Sequence, residues 1–214
     1  MAEKKFDFSL IIDNQDSIPK NVRQPMPIKA DRKGPKTIAV LLIIGAILVL
    51  FQSYQDYLSN SLEDISQNDV DRLLETPNSQ SDNPVTNEQY QQFHDDARDS
   101  GGYKIRSIGL FIASTLLIIG SINLFRLRKS GSIIATIGAG IGLLTGVYGS
   151  YLIRLASDEN LIGPLVFTYE VFVYLCGICM FICGAFAALP LVNARAKEAF
   201  KENTKLRLVY DSEE

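Results

Sequence analysis

Four long apolar runs in a chain of 214 residues constrain this protein more than any other feature. They are Thr37–Tyr54, Ser107–Phe125, Gly131–Ile153 and Ile162–Val192. A helix rises ~1.5 Å per residue, so about 20 residues cross ~30 Å of hydrocarbon. The second and third runs meet that length. The first, at 18 residues, places Gln52 and Tyr54 at an interface, and the fourth is long enough to tilt or project. One such run fits the core of a soluble protein, whereas four fit a membrane. The mean hydropathy is only slightly positive because the rest of the chain is as polar as a solvated tail.

The expected fold is an all-α integral membrane protein, an up-and-down bundle of four transmembrane helices with a small helical extracytoplasmic loop. The spans are 37–54, 105–125, 131–155 and 162–192. They separate an N-terminal tail 1–36, an acidic loop 55–104, a turn 126–130, a short outer loop 156–161 and a C-terminal tail 193–214. The first run follows 36 residues and precedes no small-x-small cleavage site, so it reads as a retained helix and not as a signal peptide.

Lys and Arg set the orientation. With four spans, the two tails and the turn at Arg126, Arg128 and Lys129 share one side, and together they hold sixteen basic residues. The other side holds five: Arg72, Arg98, Lys104, Arg106 and Arg154. The expected location is therefore a cell membrane, multi-pass, with both termini cytoplasmic. The loop from Gln55 to Lys104 has eleven acids against three bases, which makes the outer face strongly acidic. It has no EF-hand spacing, so its acids read as solvated surface.

Phe51, Tyr54, Leu58, Leu62 and Ile65 recur at helical spacing and carry the first helix past the membrane. Asp69–Glu75 extends it or starts another helix, and the stretch between Pro77 and Pro84 breaks it. Thr86 with Gln89 forms a capping box, Tyr90, Phe93 and Ala97 line one face, and Gly101-Gly102 stops that helix. The economical arrangement is a helical hairpin standing on the first and second membrane helices. His94, among Asp95, Asp96 and Arg98, reads as part of a solvated face. Four prolines among charges make most of the first 36 residues disordered or extended. Two alternating stretches, Phe6–Leu10 and Leu206–Leu208, suggest a strand pairing between the tails. The competing reading is two flexible tails, with Asn193–Glu202 an amphipathic helix on the membrane surface.

The third span carries the most specific pattern. Gly131, Ala135, Gly138, Gly142, Gly146 and Ser150 form a stripe at three- and four-residue spacing. Lipid tails are as apolar as Leu, so membrane helices associate by close backbone approach, which small residues permit. The stripe serves packing within the bundle or between subunits. Glu170, about eight residues into the fourth span, is the acidic side chain inside a span. It shares a face with Tyr174, Gly177, Gly184 and Ala188, which points it into the bundle, with Arg154 as partner by depth and Arg106 in reserve. Cys176, Cys179 and Cys183 fall on the opposite face and read as small apolar residues.

Nucleotide, zinc-protease, serine-hydrolase and paired-cysteine motifs are missing from the sequence. No basic, aromatic-interleaved surface suggests nucleic acid, and no residue set implies a cofactor, a metal or catalysis. The expected function is a non-enzymatic interaction or assembly subunit of a membrane complex, with the bilayer, other membrane proteins or further copies as partners. The alternative is a small oligomeric channel or transporter that uses Glu170.

Overall fold

The computed structural model describes residues 29–79, 81 and 83–211. Among them are seven helices and no strand: α1 (Lys33–Ser61), α2 (Gln67–Ser79), α3 (Asn87–Asp99), α4 (Gly102–Phe125), α5 (Lys129–Asn160), α6 (Pro164–Val192) and α7 (Ala194–Asp211). Four of these, α1, α4, α5 and α6, are long and apolar enough to cross a membrane. Phe6–Leu10 lies outside the described residues. Leu206–Leu208 lies within α7, so that end of the suggested strand pairing is helical instead.

The four long helices form a ring in which α4 packs against α1 and α5, α5 against α6, and α6 more lightly against α1. Sequential neighbours run antiparallel. Ser53 and Ser107 meet at one end of the α1–α4 pair, and Lys36 lies over the Phe125 ring at the other. Between α4 and α5, Gly102 lies against Gly149 and Ile153, and Gly120 against Gly131 and Ala135. Both connections of α5 are tight. Leu127 adopts a positive φ of 55° before α5, and Gly163 one of 62° before α6.

The helices are apolar almost all round, so the packed side is set by residue size. Ala39, Leu42, Ala46, Ala113, Leu117, Ala139 and Met180 fill the centre. Large side chains such as Leu48, Phe51, Phe167 and Phe181 are left exposed on α1 and α6. A helix buries small residues against its neighbours and leaves bulky ones outward when its surroundings are themselves apolar.

At the end of the ring where α1 stops, α2 and α3 form a cap. The capping box of α3 is made: Gln89 N donates to Thr86 Oγ1 at 3.2 Å, and Thr86 N to Gln89 Oε1 at 2.9 Å. Gly101, at φ 77°, turns the chain from α3 into α4 in the left-handed region. The cap does not stand mainly on α1 and α4, as the hairpin reading expected. Phe93, Tyr90, Val70 and Leu74 pack with Ile153, Ala156, Leu161 and Leu165. The reason is that α5 runs on to Asn160 and provides the platform.

At the opposite end α7 turns back across the bundle. Asn203 Nδ2 donates to the carbonyls of Arg126 at 3.0 Å and Leu127 at 3.3 Å. Asp31 N donates to the Arg195 carbonyl at 3.1 Å, Arg32 meets Glu202 at 2.9 Å, and Phe200 is buried in the main core. Where described, the C-terminal segment is a docked helix and not a free tail.

Candidate functional site

Ala39, Leu42, Ala46, Val49, Ser53 and Asp56 follow one another by three or four residues along α1, so they share its inward face. That places a carboxylate inside the cap end of the bundle. Asp56 is 2 % exposed. Arg106, one turn into α4, approaches it side-on: Nε donates to Asp56 Oδ2 at 2.7 Å and Nη2 to Asp56 Oδ1. Arg106 Nη1 also donates to Ser150 Oγ of α5 at 3.1 Å, and Gln52 Nε2 to Asp56 Oδ1 at 3.1 Å. The network therefore ties α1, α4 and α5 together. A bidentate guanidinium–carboxylate pair is among the stronger charged contacts when desolvated, and removing one partner leaves a buried charge. A crevice of about 300 Å³ between α1, α4 and α6, lined by Leu48, Gln52, Phe172, Cys176 and Met180, leads to Arg106.

The small-residue stripe of α5 lies within this chain's own bundle. A Cβ on Gly131 or Gly138 would meet α4, at the backbone around Leu124 and Gly120 or at Leu116 and Ala113. Gly142 faces Ala113 of α4 and the Met180 methyl of α6, and Gly146 faces Leu110 and Cys176. Ala135 sits against Gly120, and Ser150 takes the Arg106 bond. The α4 glycines answer those of α5, a complementarity that sequence reasoning missed.

The expected partnership of Glu170 with Arg154 is not formed. Arg154 Nη2 lies 3.4 Å from Asp158 Oδ2 on its own helix, and Arg106, the reserve, is taken by Asp56. Glu170 is half-buried with no ion pair among the described residues. The rotation of α6 explains this. Cys176 and Met180 face inward against Gly146 and Gly142 of α5, Cys183 against Gly45 of α1, and Ala187 beside Ser132 of α5. At ~100° per residue, Glu170 then lies about a third of a turn to the side, and Tyr174 is 64 % exposed. Cys176 and Cys183 thus stand on the inward side expected for Glu170, while Cys179 is exposed.

His94 is 3 % exposed, which corrects its reading as part of a solvated face. It lies one helical turn after Tyr90 and stacks near Tyr103 with ring centroids 5.7 Å apart. Neither ring nitrogen has a hydrogen-bond partner among the described residues. Burial lowers its pKa from the ordinary 6.5, and Arg98 adds to the effect against Asp95, the nearby Ser59 carbonyl and Asp64. Burial thus favours the neutral ring. Among the described residues no group of three or more His, Cys, Asp or Glu is placed to hold a metal ion.

Compared with family models, curated proteins and solved structures, the chain has no match.

Proposed function

We propose that this chain is a multi-pass integral membrane protein with four transmembrane helices and both termini cytoplasmic, acting as a non-enzymatic interaction or assembly subunit. Placing α7 and the α4–α5 turn inside follows the excess of Lys and Arg at that end, and the acidic cap then faces outward. The observation that carries the assembly reading is where the polar chemistry is spent. Asp56, Arg106 and Ser150 bond one another across three helices, so the buried charges hold the bundle together. The bundle interior on one side of them is filled mainly by Leu, Ala and Met side chains, and the cap on the other by aromatic and branched ones.

What remains available is the outside. An apolar groove of about 710 Å³ runs between α1 and α4, rimmed by Phe51, Tyr54, Tyr57 and Phe111. Its walls suit another apolar helix, since association in lipid depends on shape. The test is native mass spectrometry of the full chain gently extracted with its neighbours, beside a Phe51→Ala/Phe111→Ala variant. Both side chains are more than half exposed, so the variant leaves the bundle intact. A defined partner present with the native chain and lost from the variant supports the assembly reading. Recovery of the same monomer from both overturns it.

One observation favours a second reading, an oligomeric channel or transporter. Glu170 has no ion-pair partner among the described residues and lies near the surface of α6, where a second copy would meet it. Cation or proton flux in liposomes that falls with Glu170→Gln supports that reading, and unchanged flux removes it.

A further inference from the structure

The docking of α7 creates a site of a different kind at the cytoplasmic end. Lys129 opens α5, and Lys197 and Lys201 stand one turn apart on α7. With Ile133, Leu191 and Phe200 they line a groove of about 720 Å³. The groove is thus apolar along its length and cationic at its mouth. All three lysines are exposed, and Lys201 Nζ lies 3.2 Å from Glu198 Oε2, which leaves the mouth with excess positive charge. Their arrangement is not that of a loose tail. Phe200 in the core, and Asn203 on the Arg126 and Leu127 carbonyls, fix α7 against the α4–α5 turn.

We infer that this groove binds an anionic glycerophospholipid of the cytoplasmic leaflet, its phosphate among Lys129, Lys197 and Lys201 and an acyl chain along Ile133 and Leu191. Charge complementarity selects the occupant. A neutral transmembrane helix would leave the ammonium groups without a counter-charge, whereas a lipid phosphate meets them at headgroup depth and its own chain covers the apolar wall. Basic pockets beside membrane helices on the cytoplasmic side recognise anionic headgroups on this physical basis. The docked α7 gives a preformed seat, which loses less conformational freedom on binding.

The inference rests on the membrane-spanning reading, and the experiment separates their failures. A carbonate wash of native membranes comes first: release of the chain would overturn both. Detergent-solubilised full chain is then titrated with phosphatidylglycerol or phosphatidylcholine and retained lipid is read by native mass spectrometry. The expected result is selective retention of phosphatidylglycerol, weakened about fivefold by Lys129→Gln or Lys197→Gln. It should survive Lys104→Gln at the cap end. Ile133→Trp, which fills the groove without altering charge, should also reduce it. Excess inorganic phosphate should not displace the lipid, because it supplies no chain. Equal retention of both lipids, or full phosphatidylglycerol retention by a Lys129→Gln/Lys197→Gln/Lys201→Gln variant, overturns the site while leaving the membrane-spanning reading in place.

Discussion

Two glycine-to-alanine substitutions, chemically identical, should have opposite effects on stability. At Gly120 an added Cβ would lie 2.6 Å from Ala135 N, 2.8 Å from Ala135 Cβ and 2.8 Å from the Gly131 carbonyl oxygen. Relaxed contacts between heavy atoms sit at about 3.5–4 Å, so α4 and α5 would have to separate by roughly 0.7–1 Å. Two of the three atoms are backbone, and no rotamer change relieves them. Overpacking of this kind costs about 1–3 kcal/mol, and rigid neighbours place this case near 3. Alanine recovers about 1 kcal/mol of helix propensity, leaving a net loss of about 2 kcal/mol for Gly120→Ala. At Gly140, also on a long helix, an added Cβ meets nothing within 4 Å. Gly140→Ala should therefore gain up to about 1 kcal/mol. The two variants should differ by about 3 kcal/mol in reversible unfolding by sodium dodecyl sulfate in mixed micelles, followed by far-ultraviolet circular dichroism. Equal stability of the two would refute the close α4–α5 approach.

Three further outcomes follow from the same geometry. Asp56→Asn leaves Arg106 buried without its counter-charge and should cost about 3–5 kcal/mol, against about 1 kcal/mol for Ser150→Ala; in the same unfolding assay a smaller loss for Asp56→Asn than for Ser150→Ala would contradict the network. Because the folded pKa of His94 is lowered from 6.5, the unfolded cap takes up a proton first as the pH falls. Cap stability should be level above about pH 6.5 and decline from there toward the folded value. Hydrogen exchange of α3 between pH 7.5 and 5.5, corrected for intrinsic rates, should show this loss in the native chain and not in His94→Leu. Phe200→Ala removes the core anchor of α7 and should raise exchange across Ala194–Asn203 while leaving α4 and α5 protected; unchanged α7 exchange would mean that the helix is held by something else.

How much of this was legible in the sequence depended on the length scale of each signal. The four long helices stand out because uninterrupted apolar length needs no knowledge of partners. The capping box and the Gly101-Gly102 turn are local chemistry and read equally well. The Asp56–Arg106 pair was also written in the sequence: Ala39, Leu42, Ala46, Val49, Ser53 and Asp56 keep one helical phase. It was missed by treating Asp56 as a loop acid once the apolar run had ended. His94 shares the face of Tyr90, Phe93 and Ala97 at the same spacing, but its acidic neighbours suggested solvent. The rotation of α6 was not legible. Its surface is apolar nearly all round, and the choice between the Glu170 side and the cysteine side is made by the glycines of α5. A one-helix reading does not see that partner. The same limit hid the docking of α7 and not its helicity, which the surface-helix reading of Asn193–Glu202 expected: its apolar residues find the bundle core through Phe200.

The most direct test of the account is the topology on which its functional readings depend. An epitope inserted after Ser81 in the cap and another appended after Glu214 can be probed by antibody in intact and in permeabilised cells. The account predicts that the cap epitope is reached in intact cells and the C-terminal epitope only after permeabilisation. Detection of both without permeabilisation, or of the C-terminal epitope alone, would contradict four spans with a cytoplasmic basic end and an acidic cap outside.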